Sequence, residues 1–376
     1  MVASLTKEAP AFRLNQICYS PAILRFAMAA HADLSISALQ GVLEDYGLGR
    51  IARIDEATNG GPEIHRLFET SKGKYLLRVA QAVREYDVKR ELELLGFLSK
   101  HSFPCPWPLQ DRNGRFYREH ERRFVSIYRW SPGQSFSVEG LNDAQLESTG
   151  RALANLHVIG RAYKKGIDSR HNFDQVSDLY WRLRPRLPSF FSKISRLLDE
   201  EFDYLHRHLE QRLPKGVIHG DLFADRLLFR GDRLTSILAF ESATRGKFIA
   251  DLATAVNALC FVGEKYWLAR FRSLMLGYES VRALSLAEWD AFPNELRYSS
   301  LRLLVTGLQT WLNCSGVSDG KRDFREFLER LRVLRREKDG GMDELLMAMA
   351  TGYDYRKYQK VKGMDRNLVV VSGSNK

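Results

Sequence analysis

Short runs in which apolar residues alternate with a period of about two gather between residues 50 and 130, whereas beyond residue 143 the period is about 3.6. That segregation limits the fold more than any other feature. "RIARIDEA", "EIHRLFET" and "KYLLRVA" are short β-type runs separated by "TNGGP" and "SKGK", which carry turn chemistry. Ahead of them, "ISALQGVLEDYGLG" (36–49) puts Leu39, Val42, Leu43 and Tyr46 on one helical face and stops at glycines. A second helix is expected from about Tyr86 to Lys100, ended by "FPCPWP", whose prolines cannot continue it. "RRFVSIYRW" reads as one more strand before the connector "SPGQSF". Beyond it, "DAQLESTGRALANLHVIG" and "ISRLLDEEFDYLHRHLEQRL" carry apolar residues at helical spacing, and further helices follow over 250–338. "GVIHGD", "RLLFRG" and "LTSILAF" interrupt them as short strands and tight turns. Strands first and helices afterwards predict an α+β chain rather than alternating βα units. The expected layout is a β-rich N-lobe over 36–130, a linker at 131–136 and a helical C-lobe over 137–344 with a short β insert. Residues 1–35 are expected to be an N-terminal extension and 345–376 a basic C-terminal tail.

With 376 residues and 44% hydrophobic content, the chain is long enough for two lobes around sizeable cores. Cys18, Cys105, Cys260 and Cys314 are scattered without a CxxC pair or Cys/His cluster, so neither a disulfide framework nor a zinc site is indicated. A reducing, cytoplasmic compartment follows as the simpler expectation. "ICYSPAILRFAMAA" (17–30) is broken by Pro21 and Arg25 and is too short for the about 20 apolar residues of a membrane span. It also lacks the layout of a signal peptide. Net charge is +11, which suits an anionic ligand. The excess is spread among "RRFVSIYR", "RLRPRL", "RLRVLRREK" and "YRKYQKVKGMDR", as on solvated helix faces, and no nucleic-acid motif stands behind it.

Phosphoryl transfer needs a carboxylate to orient the attacking hydroxyl, oxygen ligands for Mg²⁺ and a cation near the phosphates. One common solution is H-x-D, an Asn five residues after that Asp, and an Asp in a following strand. His219, Gly220 and Asp221 supply the first part, while Arg226 stands at the Asn position and Ala239 at the strand Asp. Asp221 is thus a candidate catalytic base, or a residue that merely closes the turn after the strand.

At these positions the chain resembles the aminoglycoside phosphotransferase and choline kinase superfamily, and within it the type II homoserine kinases. Those kinases read H-A-D-L-F-P-D-N-V-F-F, G-L-I-D-F-Y-F-A and D-L-A-x-x-x-N-A-W-C-F. Here the matching stretches are "HGDLFADRLLF" (219–229), "SILAFESA" (236–243) and "DLATAVNALCF" (251–261). "SFPCPWPLQDRNG", "GRALANLH", "GYESVRALSLAE", "LRLLVTGLQTWLN" and "DFREFLERLRVLRRE" continue the likeness over roughly 38–337. The resemblance implies a two-lobed, protein-kinase-like fold and ATP-dependent phosphorylation of a small hydroxyl-bearing substrate of amino-alcohol type. It implies Asp221 as the base, Glu91 as the helix Glu that pairs with the N-lobe cation, and Arg78 where a phosphate-contacting Lys usually stands. The alternative for Arg78 and Glu91 is a surface salt bridge.

Departures from the pattern bear on the metal. Ala239 offers no ligand, and Arg226 puts a fixed cation where Mg²⁺ seeks oxygen. Arg226 can itself neutralise phosphate. Two carboxylates stand near enough in sequence to substitute: Asp225, beside Arg226, and Glu241, two residues beyond Ala239 and on the same face if the strand continues. The competing reading pairs Glu241 with Arg226 or Arg245 in an inactive site. Mg²⁺ use is left open, and a pseudokinase that binds nucleotide or a protein partner is the alternative to an active kinase. On the acceptor side, Glu241–Ser242 replaces Tyr-Phe, and Gly307 and Thr310 replace an Arg and an Asp of T-R-L-Y-D-W-L-N, which makes homoserine itself doubtful as substrate. Asn257, Trp311 and Asn313 are retained.

Overall fold

The computed structural model describes residues 36–55, 58–59, 63–80, 83–313, 323–336 and 345. The proposed extension 1–35 and tail 346–376 lie outside the described residues. Helix α1 (Ile36–Tyr46) ends where Gly47 and Gly49 take positive φ. A seven-stranded antiparallel sheet follows: β1 (Ile51–Ile54), β2 (Thr58–Asn59), β3 (Glu63–Thr70), β4 (Gly73–Ala80), β5 (Trp107–Pro108), β6 (Arg118–His120) and β7 (Arg123–Arg129). Its main order is β1-β3-β4-β7-β5, with β2 on β3 and β6 on β7. Alternation along the strands sends Phe68, Leu77, Val79, Val125 and Ile127 to the face covered by Leu39 and Leu43 of α1. The opposite face meets α2 (Glu85–Lys100), whose Val88, Leu92, Leu95 and Leu98 enter the main core.

Helices dominate beyond residue 142. They are α3 (Asp143–Gly160), α4 (Phe173–Leu183), α5 (Ser192–His208), α6 (Phe248–Leu259), α7 (Leu268–Glu279), α8 (Leu286–Asn313) and α9 (Phe324–Leu334). Asn142 caps α3 through a reciprocal capping box with Gln145. Crossing of α3 and α7 depends on two glycines: a Cβ on Gly150 would stand 1.9 Å from the Leu274 carbonyl oxygen, and one on Gly277 1.9 Å from that of Glu147. Helices α4, α5, α8 and α9 enclose a second core containing Tyr180, Phe202, Leu304 and Phe327. No helix among the described residues is long and apolar enough to cross a membrane.

Short ribbons are set into the helical part: β8 (Lys215–Ile218) pairs with β11 (Thr244–Lys247), and β9 (Leu227–Arg230) with β10 (Arg233–Ile237). The chain leaves β10 before Ala239, which takes φ 65° and ψ 57°, and Phe240–Ser242 form a 3-10 turn. This corrects the expectation of a strand running on to Glu241, since a left-handed residue breaks the two-residue alternation that would align Glu241 with Ala239. Between the sheet and the helices, Gln134 exchanges both backbone hydrogen bonds with Phe229 at 2.9 Å. Arg90 of α2 reaches across to the same turn, donating to the Ala243 carbonyl at 2.5 Å and the Glu241 carbonyl at 3.1 Å.

Candidate active site

Strand β8 delivers His219, Gly220 and Asp221 into a loop held from below by Asp251 at the start of α6. The Asp251 carboxylate accepts from the His219 N–H (2.8 Å), the Gly220 N–H (2.8 Å) and His157 Nε2 (3.1 Å). Burial opposes this charge, but His157, then His219 and the Gly220 N–H, hold the carboxyl below the usual carboxylate range. His157 is fully buried, lies 2.7 Å from the Tyr278 hydroxyl and is pushed down in pKa by burial against the pull of Asp251. Arg282 then donates to Tyr278 (3.0 Å) and to Glu288 (2.6 Å). The loop therefore rests on a continuous buried polar network drawn from α3, α6, α7 and α8. His219 Nδ1 accepts from the Asp221 N–H at 3.2 Å and Nε2 donates to the Leu238 carbonyl at 2.8 Å, which fixes the ring between the two positions. Gly220 takes φ 77° there, with the Ser242 carbonyl oxygen 3.0 Å from where a Cβ would sit. Asp221 ends the loop at 8% exposure.

The two substituted positions lie next to each other. The Leu238 N–H donates to the Arg226 carbonyl at 2.8 Å, so Ala239 follows directly on a residue tied to Arg226. Arg226 turns its guanidinium to the carboxylates of the loop, 3.8 Å from Asp221 and 3.7 Å from Asp225. Glu241 is exposed, and the field its carboxylate sets up is felt at Glu91 in α2.

On the sheet side, His65, Arg78 and Ser126 are in register across β3, β4 and β7, and Glu63 lies two residues from His65 on the same face. Arg78 forms a fork on Glu91 at 2.8 and 3.0 Å, reaches the Tyr128 hydroxyl at 3.1 Å, and also pairs with Glu63. The Arg78–Glu91 pair is buried, not the surface bridge that sequence left as the alternative. Burial raises the Glu91 carboxyl; Arg78 opposes that, and Glu241 and Glu63 add to it.

On the acceptor side of the loop, Arg302 of α8 donates to the Gly220 carbonyl at 2.9 Å. His171, at φ 55°, lies near enough to feel both Arg302 and Asp221, and is pushed down to about 4 by desolvation, Arg302 and Arg170.

The chain as a whole matches known proteins. Residues 65–284, more than half of the chain, match the family model described as "Phosphotransferase enzyme family". The chain belongs to the phosphotransferase enzyme family. Homoserine kinases of Methylobacterium radiotolerans (30% identical, 83% of this chain, 98% of the relative) and Nitrobacter hamburgensis (31%, 81% and 94%) are among its relatives. In three dimensions it resembles the amicoumacin kinase hAmiN, solved with AMP-PNP and Ca²⁺ (TM-score 0.64, 14% identity, 85% of this chain and 99% of that one). It also resembles a microcompartment-associated aminopropanol kinase (TM-score 0.59, 20% identity, 84% and 100%). At these identities the structural likeness shows the two-lobed α+β fold alone.

Among the described residues no three His, Cys, Asp or Glu side chains come together as a metal-binding group, so Asp221, Asp225 and Glu241 do not form one. At the two positions where the resemblance implies metal ligands, Ala239 offers no oxygen and Arg226 is a cation. The Nε atoms of Arg78 and Arg226 are both buried without a hydrogen-bond partner among the described residues, that of Arg226 lying 3.7 Å from the Asp225 carboxylate. Sequence reasoning missed Asp251, His157, Glu63, Arg302 and His171. Asp251 stood inside a matched motif, and alternation along its own strand puts Glu63 on the face of His65, the register partner of Arg78.

Proposed function

We propose that this chain is a homoserine-kinase-like phosphotransferase that moves a phosphoryl group from ATP to the hydroxyl of a small amino alcohol. Asp221 carries the reading: a nearly buried carboxylate on a loop fixed by two backbone hydrogen bonds to Asp251, which His157 holds in turn. In that position it orients the acceptor hydroxyl and takes its proton. ATP, when bound, supplies the γ-phosphoryl. Arg226, 3.8 Å from Asp221, offers a fixed cation where charge develops on the transferring group. Arg78, oriented by Glu91, is the corresponding cation of the N-lobe. Domain borders at 131–136 and a cytoplasmic location, where ATP is available, belong to the same proposal.

A second reading, a pseudokinase that binds nucleotide or a protein partner without turnover, is favoured by one specific observation. Arg226 engages Asp221 and Asp225 at positions where this chemistry normally relies on a divalent cation. A phosphate-transfer assay on a panel of amino alcohols, run beside thermal-shift titration with ATP plus Mg²⁺ or chelator, separates them. Turnover on any member of the panel supports the kinase. Nucleotide-dependent stabilisation without turnover supports the nucleotide-binding pseudokinase, and no nucleotide effect under any condition removes the kinase and leaves only a protein-binding pseudokinase.

A further inference from the structure

The charges facing the cleft are already paired with one another. Arg78 has both Nη atoms engaged: Nη1 with Glu91 and Tyr128, Nη2 with Glu91 and Glu63. One guanidinium therefore serves two carboxylates, and Glu241 adds a third acid whose field reaches Glu91. Glu91 is the partner that orients Arg78 from α2. Glu63 does something else. It comes from the start of β3, its other oxygen is 3.6 Å from His65 Nε2, and it retains 23% side-chain exposure while Glu91 retains 6%. Burial would raise its carboxyl, but Arg78, then His65 and Arg226, hold it below the usual range. Arg226 belongs to the catalytic loop, so the Glu63 carboxylate senses the opposite wall of the cleft. Acid and base thus alternate from one wall to the other: Glu91, Arg78, Glu63, Arg226, Asp221.

We propose that Glu63 is the residue that sets nucleotide affinity in this chain, because its carboxylate occupies the anion position on Arg78 that a nucleotide phosphate would take. A phosphate reaches the Arg78 fork only by displacing a carboxylate already bound there, and two such anions on one Nη group repel each other. The cost falls on the phosphates and leaves the nucleoside untouched. It is present with or without a divalent cation, since it arises from a protein charge on the N-lobe side. The inference rests on the reading that nucleotide phosphates enter this cleft, and not on turnover.

Titration calorimetry of the full chain with ATP, ADP and adenosine, each with chelator and again with Mg²⁺, tests it on wild type and Glu63→Gln. Gln keeps the shape and an acceptor oxygen while removing the charge. Glu63→Gln is expected to tighten ATP by at least about tenfold in both metal conditions, to tighten ADP, and to leave adenosine unchanged. Glu63→Asp, which keeps the charge but retracts it by one methylene, is expected to tighten ATP less, and it serves as the variant if Glu63→Gln melts near the assay temperature. ATP affinity unchanged or weakened in both variants, or no nucleotide binding by any form, overturns the inference. A phosphate-transfer assay on the same preparations keeps the two proposals apart: tighter ATP without transfer overturns the kinase reading and leaves the role of Glu63 standing.

Discussion

Ala239 occupies a backbone conformation that suits a different residue. At φ 65° and ψ 57° an L-alanine carries a steric cost of roughly 1 kcal/mol, whereas Gly, Asn and Asp visit this region readily. Ala239→Gly is therefore expected to raise unfolding free energy by about 0.5 kcal/mol in urea titration, and Ala239→Asp to be tolerated; a loss above about 2 kcal/mol in either would show that the turn is held by something other than its backbone. Restoring oxygen at both substituted positions, with Arg226→Asn and Ala239→Asp together, is expected to make nucleotide stabilisation Mg²⁺-dependent in thermal shift. The backbone of Arg226 already meets that of Leu238 at 2.8 Å, so the two ligand positions need no rearrangement to converge. Behaviour identical to wild type would place the defect beyond these two side chains. The missing oxygen was legible in the sequence, but the left-handed turn at Ala239 was not, because alanine favours helix and the alternation of "LTSILAF" reads straight through it.

At the scale of elements, α6 matters chiefly for its first turn. Asp251 accepts three hydrogen bonds there, two of them from backbone N–H groups of the catalytic loop. Asp251→Asn keeps the volume but turns one acceptor into a donor, leaving buried groups unsatisfied; it is expected to cost about 3 kcal/mol by chemical denaturation. Phosphate transfer should fall further than stability does, through the position of Asp221. Crossing of α3 and α7 gives a purely steric counterpart. Gly277→Ala puts a methyl 1.9 Å from the Glu147 carbonyl oxygen, and separating the helices is expected to cost about 3 kcal/mol; an unchanged midpoint would mean that the helices slide apart freely. The elements themselves were largely readable, since β3, β4, α2, α3 and α5 follow their periodicities closely. What supports the loop was not: His157, Tyr278 and Asp251 are separated by as many as 121 residues, and no local pattern links an LH pair in one helix to a Tyr in another.

For the whole molecule, the buried network gives a pH dependence with a defined sign. His157 is held neutral in the fold by burial, which outweighs Asp251, so its folded pKa lies below the unfolded value of about 6.5. The unfolded chain then binds a proton that the folded chain does not as pH falls through that value, and stability declines. Melting temperature is expected to drop between pH 7.5 and 5.5, with a shallower slope in His157→Gln on a lower baseline. Equal slopes in the two proteins would assign the acid sensitivity elsewhere. Division into a sheet-rich and a helix-rich part was legible from the change in hydrophobic period, and the closeness of His219, Asp221 and Arg226 in one loop from their spacing. The charge pattern across the cleft was not, because it depends on Glu63 feeling the charge of Arg226, far away along the chain. Arg90 adds a mechanical side to that pattern. Its guanidinium leaves α2 and grips the Ala243 and Glu241 carbonyls, so any swing of the sheet away from the helices pulls on the turn that begins at Ala239. Opening the cleft and reshaping that turn are thereby geared together, and a ligand that clamps one immobilises the other.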